Sequence, residues 1–192
     1  MKPNPPESSS SAAAAPVMDS AAVNRALRRI AHEIIERNPD LAAVILAGIP
    51  SRGVAIAGRI AQIIDSLGKG TVATGAIDVS MHRDDVGTRS ELPRVQASNL
   101  PLPLENKTVI IVDDVFFTGR TARAAMDAIS SYGRPARIQL AALIDRGHRE
   151  LPIRVDYVGK NLPTAPDERV RLRLEEVDGE PDAVWLVKEE KS

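Results

Sequence analysis

The segment 109–121, with the sequence VIIVDDVFFTGRT, constrains the fold of this chain more than any other. Its first four residues are apolar and β-branched, which predicts a short strand buried on both faces. Thr121 precedes a helical pattern that runs to Tyr132, and we expect it to be the N-cap. The loop 113–120 therefore joins a buried strand to a helix start, where unpaired backbone N–H groups and the helix dipole favour a bound anion.

This loop also carries the groups that a phosphorylated ribose requires. Its four outward backbone N–H groups would hold the phosphate, and they belong to Thr118, Gly119, Arg120 and Thr121. Asp113 and Asp114 would accept hydrogen bonds from the ribose hydroxyls, with Mg²⁺ offsetting the remaining charge of the ligand. The alternative is an ordinary strand-end turn with solvated acids. A Walker A loop is excluded because the chain has no GxxxxGK[ST] sequence, and GxGxxG is also absent.

Apolar patterns along the rest of the chain alternate between strands and helices. This alternation predicts an α/β fold with a mainly parallel central sheet and right-handed crossovers. No internal repeat is apparent in the sequence. A single domain is expected at residues 19–187, between a disordered tail at 1–18, rich in Ser, Ala and Pro, and a tail at 188–192. Expected helices cover 19–37 and about 54–68; expected strands cover 43–47, 74–79, 109–112 and 138–144, with short later strands near 154–158, 170–174 and 184–187 decorating the core.

Composition excludes several classes of function. The 192 residues are 43% hydrophobic, which is enough for one domain with a sizeable core. Because the net charge is only −1, any contact with a polyanion must come from a local basic patch. The absence of cysteine excludes disulfides and thiolate chemistry, and three dispersed histidines indicate no metal cluster. Because no apolar run approaches 18 residues and the apolar block 12–15 is too short for a signal peptide, we expect no membrane span and a cytoplasmic protein.

In parallel sheets ligands collect where the strands end, so the loops after residues 47, 79, 112 and 144 should form the site. Arg52 follows the first of these strands and offers a bidentate donor for a diphosphate, unless it is only an exposed residue of a capped turn. The polar segment 81–99 is long enough to be a lid. Arg83 is its candidate contact to diphosphate, the alternative being a pairing with Asp84 or Asp85 on a solvated loop.

The segment 109–121 resembles the phosphoribosyl diphosphate signature of type I phosphoribosyltransferases. Four further segments are similar to the PyrR family of bifunctional pyrimidine operon regulators and uracil phosphoribosyltransferases: RALRRIAHEIIERN at 25–38, AGIPSRGVAIAGRIA at 47–61, RPARIQLAALIDRGHRELPIRVDYVGKNLPT at 134–164 and VRLRLEEVDG at 170–179. The resemblance keeps one register from about Val23 to Gly179. It implies the type I phosphoribosyltransferase fold, in which a small hood of additional strands accompanies the central sheet.

The resemblance implies Mg²⁺-assisted transfer from 5-phosphoribosyl 1-diphosphate to N1 of uracil, giving UMP and diphosphate. Asp113, Asp114 and Arg83 would be catalytic, with Asp114 either a ribose contact or a general base. The implied substrate-binding residues are Ser51, Arg52, Val115, Phe116, Phe117, Thr118, Gly119, Arg120, Thr121, Arg146 and Val170. Mg²⁺ would be bound mainly through the substrate, and no protein residue is expected to be a dedicated metal ligand. The alternative is a salvage enzyme without specific RNA binding, for a purine base such as hypoxanthine or guanine.

The same resemblance implies binding of the pyrimidine operon leader mRNA with UMP or UTP as co-ligand, and assembly as a homodimer or homotetramer. A basic face supports RNA binding: Arg25, Arg28, Arg29 and His32 share the polar side of the first helix, and Arg149 and Lys160 extend it. A solvated helix face is the alternative. Three departures from the family pattern bear on RNA binding: Arg28 replaces a common Thr, Pro50 replaces a frequent Lys, and the pair at 165–166 is Ala-Pro rather than Ser-Arg or Ser-Lys.

Overall fold

Five parallel strands form the central sheet in the computed structural model, which describes residues 15–80 and 98–188. In chain order they are β1 (Val44–Gly48), β2 (Ala73–Ala76), β3 (Thr108–Phe116), β4 (Arg137–Asp145) and β5 (Tyr157–Asn161). Their spatial order is β2-β1-β3-β4-β5. Because all neighbouring pairs are parallel, the carboxyl ends of these strands meet at one edge of the sheet.

Helices cover both faces of this sheet. They are α1 (Ser20–Arg37), α2 (Arg52–Ser66) and α3 (Arg120–Ser130). Alternate side chains of the strands separate two apolar cores: Leu46 and Ile110 pack with α1 and α2, whereas Ile45 and Ile111 pack with α3. β1 and β3 are therefore buried on both faces, as expected for a parallel sheet between two helical layers.

A two-stranded antiparallel hood adjoins the layer of α1 and α2. It consists of β6 (Glu168–Arg173), the short helix α4 (Glu175–Asp178) and β7 (Ala183–Lys188). Leu172 and Val184 join the apolar core that contains α1 and α2. The predicted α/β fold, with a parallel central sheet and a small hood, is confirmed.

The start of α1 is attached to the end of the hood. Asp19 caps α1, because its side chain accepts a hydrogen bond from the N–H of Ala22 at 2.8 Å. The buried Met18 pairs with Val184 in both directions, and the Ser20 hydroxyl donates to the carbonyl of Asp182 at 2.9 Å. Met18, assigned by composition to the tail, thus packs with the fold; the domain limits of 19 and 187 remain a prediction.

The structure corrects three local expectations. The strand predicted at 109–112 continues to Phe116, because β4 still pairs with β3 after β1 ends opposite Val112. The strand predicted at 154–158 as decoration lies at 157–161 and joins the central sheet beside β4. Thr121 is not the N-cap of α3: that position is Gly119, whose φ of 94° favours glycine.

Candidate active site

The end of β3, the start of α2 and the start of α3 meet at the carboxyl edge of the sheet. The N–H of Ile49, just after β1, donates to the carbonyl of Val112 at 2.9 Å, and the N–H of Arg146 donates to the carbonyl of Phe116 at 3.0 Å. Gly53 brings the first turn of α2 onto β3 so closely that an added Cβ would lie 2.3 Å from the carbonyl oxygen of Val112. Of the four loops expected to converge, those after β1, β3 and β4 meet at this edge, and most of the loop expected after residue 79 lies outside the described residues.

A cavity of about 330 Å³ opens between β3 and α3. Eight of the residues predicted to contact substrate line it, namely Asp113, Val115, Phe116, Phe117, Thr118, Gly119, Arg120 and Thr121. Two further lining residues, Ala122 and Glu150, were not predicted. The segment that most constrained the fold thus forms the wall of a cavity at a helix start, where backbone N–H groups and the helix dipole favour an anion.

The two adjacent carboxylates belong to β3 itself rather than to a loop. Asp113 is 8% exposed and lines the cavity, whereas Asp114 is half-buried and does not line it. Successive residues of a strand project to opposite faces, which accounts for this separation. Each carboxylate accepts the N–H of the following residue, at 2.9 Å for Asp113 and 2.8 Å for Asp114. The pKa of the Arg52 guanidinium is raised mainly by its hydrogen bond to Asp178. The negative charge of Asp114 raises it further, to a smaller extent.

The turn before α3 is held in place by the chain segment that follows β4. The carbonyl of Thr118 accepts the N–H groups of Glu150 and Leu151 at 3.0 and 3.2 Å. An added Cβ on Gly119 would lie 3.4 Å from the Cβ of Leu151, and the left-handed φ of this glycine disfavours any side chain. The cavity wall is therefore fixed by contacts from a second loop.

Sequence reasoning missed Glu150, which holds the Arg120 side chain. Nε of Arg120 donates to Oε2 of Glu150 at 2.8 Å, and both side chains are about half exposed. An ion pair this exposed contributes little to stability, so its main effect is to orient Arg120 beside the cavity. Glu150 follows a predicted strand and lies in the segment 134–164 that resembles the PyrR family, but neither signal distinguishes it from its neighbours.

Arg52, expected to contact a diphosphate, forms a bidentate ion pair with Asp178 of α4. The distances are 2.7 Å from Nη2 to Oδ1 and 3.1 Å from Nε to Oδ2. This contact raises the pKa of Arg52 and lowers the pKa of Asp178 below its ordinary value of 3.8. Ser51 directly precedes α2 and is exposed. No sequence pattern linked Asp178 to Arg52.

Arg146 and His148 connect the signature segment to the chain before the hood. The guanidinium of Arg146 lies 4.1 Å from the centroid of the Phe117 ring and donates to Oγ1 of Thr164 at 3.2 Å. The His148 ring lies edge-on to Phe117, and its Nε2 is 2.5 Å from the carbonyl oxygen of Thr164. Since a carbonyl only accepts, Nε2 is the protonated nitrogen, and His148 braces this loop.

The structure does not bring Arg146 or Val170 to the 330 Å³ cavity. Arg146 is 9% exposed and is engaged beside Phe117, while Val170 lies on β6 and packs against the core of α1 and α2. Their assignment to the nucleotide site remains a prediction. Arg83 and most of the expected lid fall outside the described residues.

A second cavity, of about 460 Å³, lies between α1 and β5 and is basic. Three of the predicted RNA contacts line it, namely Arg25, Arg29 and Lys160. Arg29 donates to the carbonyls of Val158 and Gly159, which ties α1 to β5. We call this the basic cavity.

The other predicted RNA contacts lie elsewhere. Arg28 and His32 are exposed on α1 without lining the basic cavity. Arg149 forms an ion pair with the buried Asp145 and donates to the carbonyl of Ile153. The basic face predicted from spacing is therefore divided between a cavity, an open helix surface and a separate loop.

Two general properties concern the residues that the structure describes. Neither α1 nor any other helix among them is long and apolar enough to cross a membrane. Over the same residues, no three His, Cys, Asp or Glu side chains are grouped as metal ligands.

Comparison with known proteins identifies relatives over most of the chain. Residues 17–172 match the family described as phosphoribosyl transferase domain. The protein named Bifunctional protein PyrR from Roseiflexus sp. (strain RS-1) is 52% identical over 172 residues, covering 90% of this chain and 94% of the relative. The protein of the same name from Chloroflexus aurantiacus is 57% identical over 164 residues, covering 85% of this chain and 90% of the relative.

Solved structures share the fold at much lower identity. A hypoxanthine-guanine phosphoribosyltransferase from Bacillus anthracis superimposes with a TM-score of 0.70 at 16% identity, covering 90% of this chain and 98% of that one. The hypoxanthine phosphoribosyltransferase of Trypanosoma cruzi, in complex with its product IMP, gives 0.68 at 17% identity, with coverages of 90% and 89%. At such identities the likeness establishes the type I phosphoribosyltransferase fold alone.

Proposed function

Because this chain belongs to the PyrR family of phosphoribosyltransferases, we infer that it is a uracil phosphoribosyltransferase and a UMP- or UTP-responsive regulator of its pyrimidine biosynthetic operon. The observation that carries the enzymatic part is the cavity whose wall is the segment 113–121. We propose that the backbone N–H groups at the start of α3 hold the 5′-phosphate of 5-phosphoribosyl 1-diphosphate. Gly119 keeps this turn free of a side chain, so that the ligand and backbone can approach closely.

The carboxylates at the end of β3 act on the ribose. Asp113 faces the cavity and accepts hydrogen bonds from ribose hydroxyls. Asp114, on the side of Arg52, stabilises the positive charge that develops at C1′ as the diphosphate leaves, or takes the proton from the incoming nitrogen. Both roles require an ionised carboxylate.

The leaving diphosphate contacts three residues, Arg52, Ser51 and Arg83. Arg52 lies at the start of α2, where the helix dipole adds to its positive charge. Arg83, in the lid expected at 81–99, would add a second cation when the site closes and excludes water. These contacts favour transfer to a base over hydrolysis, because the leaving group is held while the ribose carbon is attacked.

The donor chemistry of the site fits Mg²⁺ brought in by the substrate. Mg²⁺ prefers oxygen ligands and keeps several waters, and the site offers carboxylates at Asp113, which lines the cavity, and at Asp114, the next residue of β3. The ion would neutralise charge on the diphosphate. Most of its ligands would be substrate oxygens and water, with the two carboxylates in contact through the ribose hydroxyls or those waters.

The choice of uracil is tested by a panel of free bases. Purified protein with 5-phosphoribosyl 1-diphosphate and Mg²⁺ is offered uracil, hypoxanthine or guanine, and nucleotide formation is measured. We expect UMP formation with a kcat/KM about 100-fold or more above that for either purine, since polar groups left unpaired by the wrong base reject it strongly. IMP or GMP as the main product would instead support purine salvage.

The regulatory part rests on the basic cavity. Arg25, Arg29 and Lys160 line it together, and their positive charges would neutralise phosphates of a bound RNA strand. Arg28, His32 and Arg149 would extend the contact along α1 and beyond it. We propose that a leader mRNA binds on this side with UMP or UTP in the transferase cavity, that the protein acts in the cytoplasm, and that it assembles as a homodimer or homotetramer.

Replacing Arg25 with glutamine should weaken binding to the operon's own leader RNA and reduce its salt dependence. Loss of one phosphate contact lowers the slope of log K against log salt by about 0.7 to 0.9. The measurement is RNA affinity at several salt concentrations with UMP present. Arg123→Gln is the matched control, because Arg123 is an exposed arginine on α3 that pairs with Asp127 and does not line the basic cavity.

Two results would contradict this RNA assignment. One is an equal loss of affinity in both arginine variants. The other is wild-type protein that binds a scrambled RNA of equal length as tightly as the leader, with no response to UMP. In either case the basic face would be a generic polyanion surface, and the protein would act as a uracil salvage enzyme.

A further inference from the structure

Asp178, at the end of α4, fixes the orientation of Arg52. Oδ1 accepts from Nη2 at 2.7 Å and Oδ2 accepts from Nε at 3.1 Å, so one edge of the guanidinium is matched by both carboxylate oxygens. The side chains are 33% and 19% exposed, which makes this pair more shielded than an ordinary surface ion pair. A bidentate contact of this kind determines the direction of a planar guanidinium as well as its position.

This contact leaves Arg52 able to bind an anion. A guanidinium has five N–H donors, and Asp178 occupies the edge formed by Nε and one N–H of Nη2. The adjacent edge, formed by Nη1 and the second N–H of Nη2, retains donors with the spacing that suits two phosphate oxygens. Asp178 therefore orients the donor group without using all of it.

Asp178 is itself held firmly by its surroundings. Its Oδ2 also accepts the N–H of Leu174 at 2.8 Å. α4 is attached to α2 at a second point, because Glu176 and the buried Asp182 both pair with Arg59, two helical turns after Arg52. The hood is thus fixed along α2, and Asp178 reaches Arg52 from a fixed support.

Arg52 lies where a diphosphate would bind. It begins α2, and the next residue, Gly53, packs against Val112 and Asp113 at the end of β3. The charge of Asp114 also acts on Arg52. Arg52 is thus adjacent to the carboxylates proposed to hold the ribose.

We propose that Asp178 is a positioning residue of the transferase, which presents Arg52 to the diphosphate of the substrate. This inference rests on the function proposed above. It assigns the hood a part in diphosphate recognition, although the hood belongs to a separate sheet and its residues do not line the cavity at α3.

The test compares Asp178→Asn with Glu176→Gln in the full chain. Asparagine keeps the shape and an oxygen that can accept the N–H of Leu174, but its amide cannot match both donors of Arg52. Glu176→Gln removes a carboxylate from the same short helix that pairs with the same α2, at Arg59 instead of Arg52. The control therefore reproduces the loss of one contact between hood and helix without touching Arg52.

The readouts are calorimetric affinity for diphosphate with Mg²⁺, KM for each substrate and melting temperature. We expect Asp178→Asn to weaken diphosphate binding and raise KM for 5-phosphoribosyl 1-diphosphate by about fivefold or more, with KM for uracil nearly unchanged. Glu176→Gln should leave both diphosphate values unchanged, because the buried Asp182 still pairs with Arg59 and keeps the hood attached to α2. In an Arg52→Gln background, Asp178→Asn should cause no further loss, because the two residues act as one unit.

Equal diphosphate affinities for wild type and Asp178→Asn would overturn the proposal, and so would equal losses in Asp178→Asn and Glu176→Gln. Wild-type protein that binds diphosphate but transfers phosphoribose to no base would contradict the proposed function, while the affinity comparison would still decide the role of Asp178. Wild-type protein without affinity for diphosphate would overturn both.

Discussion

Replacing Asp114 with asparagine should lower kcat for UMP formation by about 100-fold or more, without loss of the fold. The substitution preserves shape, and the asparagine oxygen can still accept the N–H of Val115, which Asp114 now accepts at 2.8 Å. What is lost is a negative charge near the carbon on which positive charge develops, or the group that receives a proton. The measurement is steady-state kinetics with uracil, together with thermal unfolding.

Asp127→Asn is the control for this substitution. Asp127 is an exposed carboxylate on α3, paired with Arg123, and it does not line the cavity. We expect its kcat and melting temperature to match those of the wild type. An unchanged kcat in Asp114→Asn would remove Asp114 from the mechanism and leave Asp113 as the carboxylate on which catalysis depends.

Replacing Gly53 with alanine should both destabilise the protein and nearly abolish transfer. The added Cβ would lie 2.3 Å from the carbonyl oxygen and 3.3 Å from the carbonyl carbon of Val112, and backbone atoms cannot rotate away as a side chain can. α2 must therefore shift from β3. We expect a loss of about 3 kcal/mol in the free energy of unfolding, within the upper range for overpacking. A displacement near 1 Å at the site can cost about 100-fold in rate.

Gly58 provides the matched control on the same helix. An added Cβ at Gly58 has no heavy atom within 4 Å, so Gly58→Ala should raise the free energy of unfolding by about 0.5 to 1 kcal/mol through helix propensity. The measurements are the free energy of unfolding in denaturant and kcat for UMP formation, each compared between the two variants. If Gly53→Ala is as stable and active as Gly58→Ala, close packing of α2 on β3 is not what positions the site.

The sequence predicted the fold through its periodicity and its capping residues. The alternation of strands and helices predicts the parallel sheet, and Asp19, the first residue of the helix expected at 19–37, caps α1. Eight predicted residues line one cavity because they all fall within the segment 113–121, which forms a single strand-to-helix junction. Local signals of this kind require no knowledge of distant contacts.

Long-range pairing explains what the sequence did not predict. β3 runs on through Asp113 and Asp114 because β4 continues to pair with it, and β5 joins the central sheet because it lies beside β4. Neither register can be read from the strand's own residues. Glu150 and Asp178 were missed for the same reason: each meets its arginine only in the folded chain.

The attachment of α1 to the hood has a consequence for how the protein is made. The hydrogen bond between Ser20 and Asp182 joins residues that are 162 positions apart in the chain. At ribosomal speeds of about 5 to 20 residues per second, their meeting is delayed by roughly ten to thirty seconds after α1 is synthesised. Until then the hood is incomplete and Asp178 has no fixed support. We therefore expect the growing chain to assemble its sheet first and to gain a correctly held Arg52 only after the hood has been synthesised.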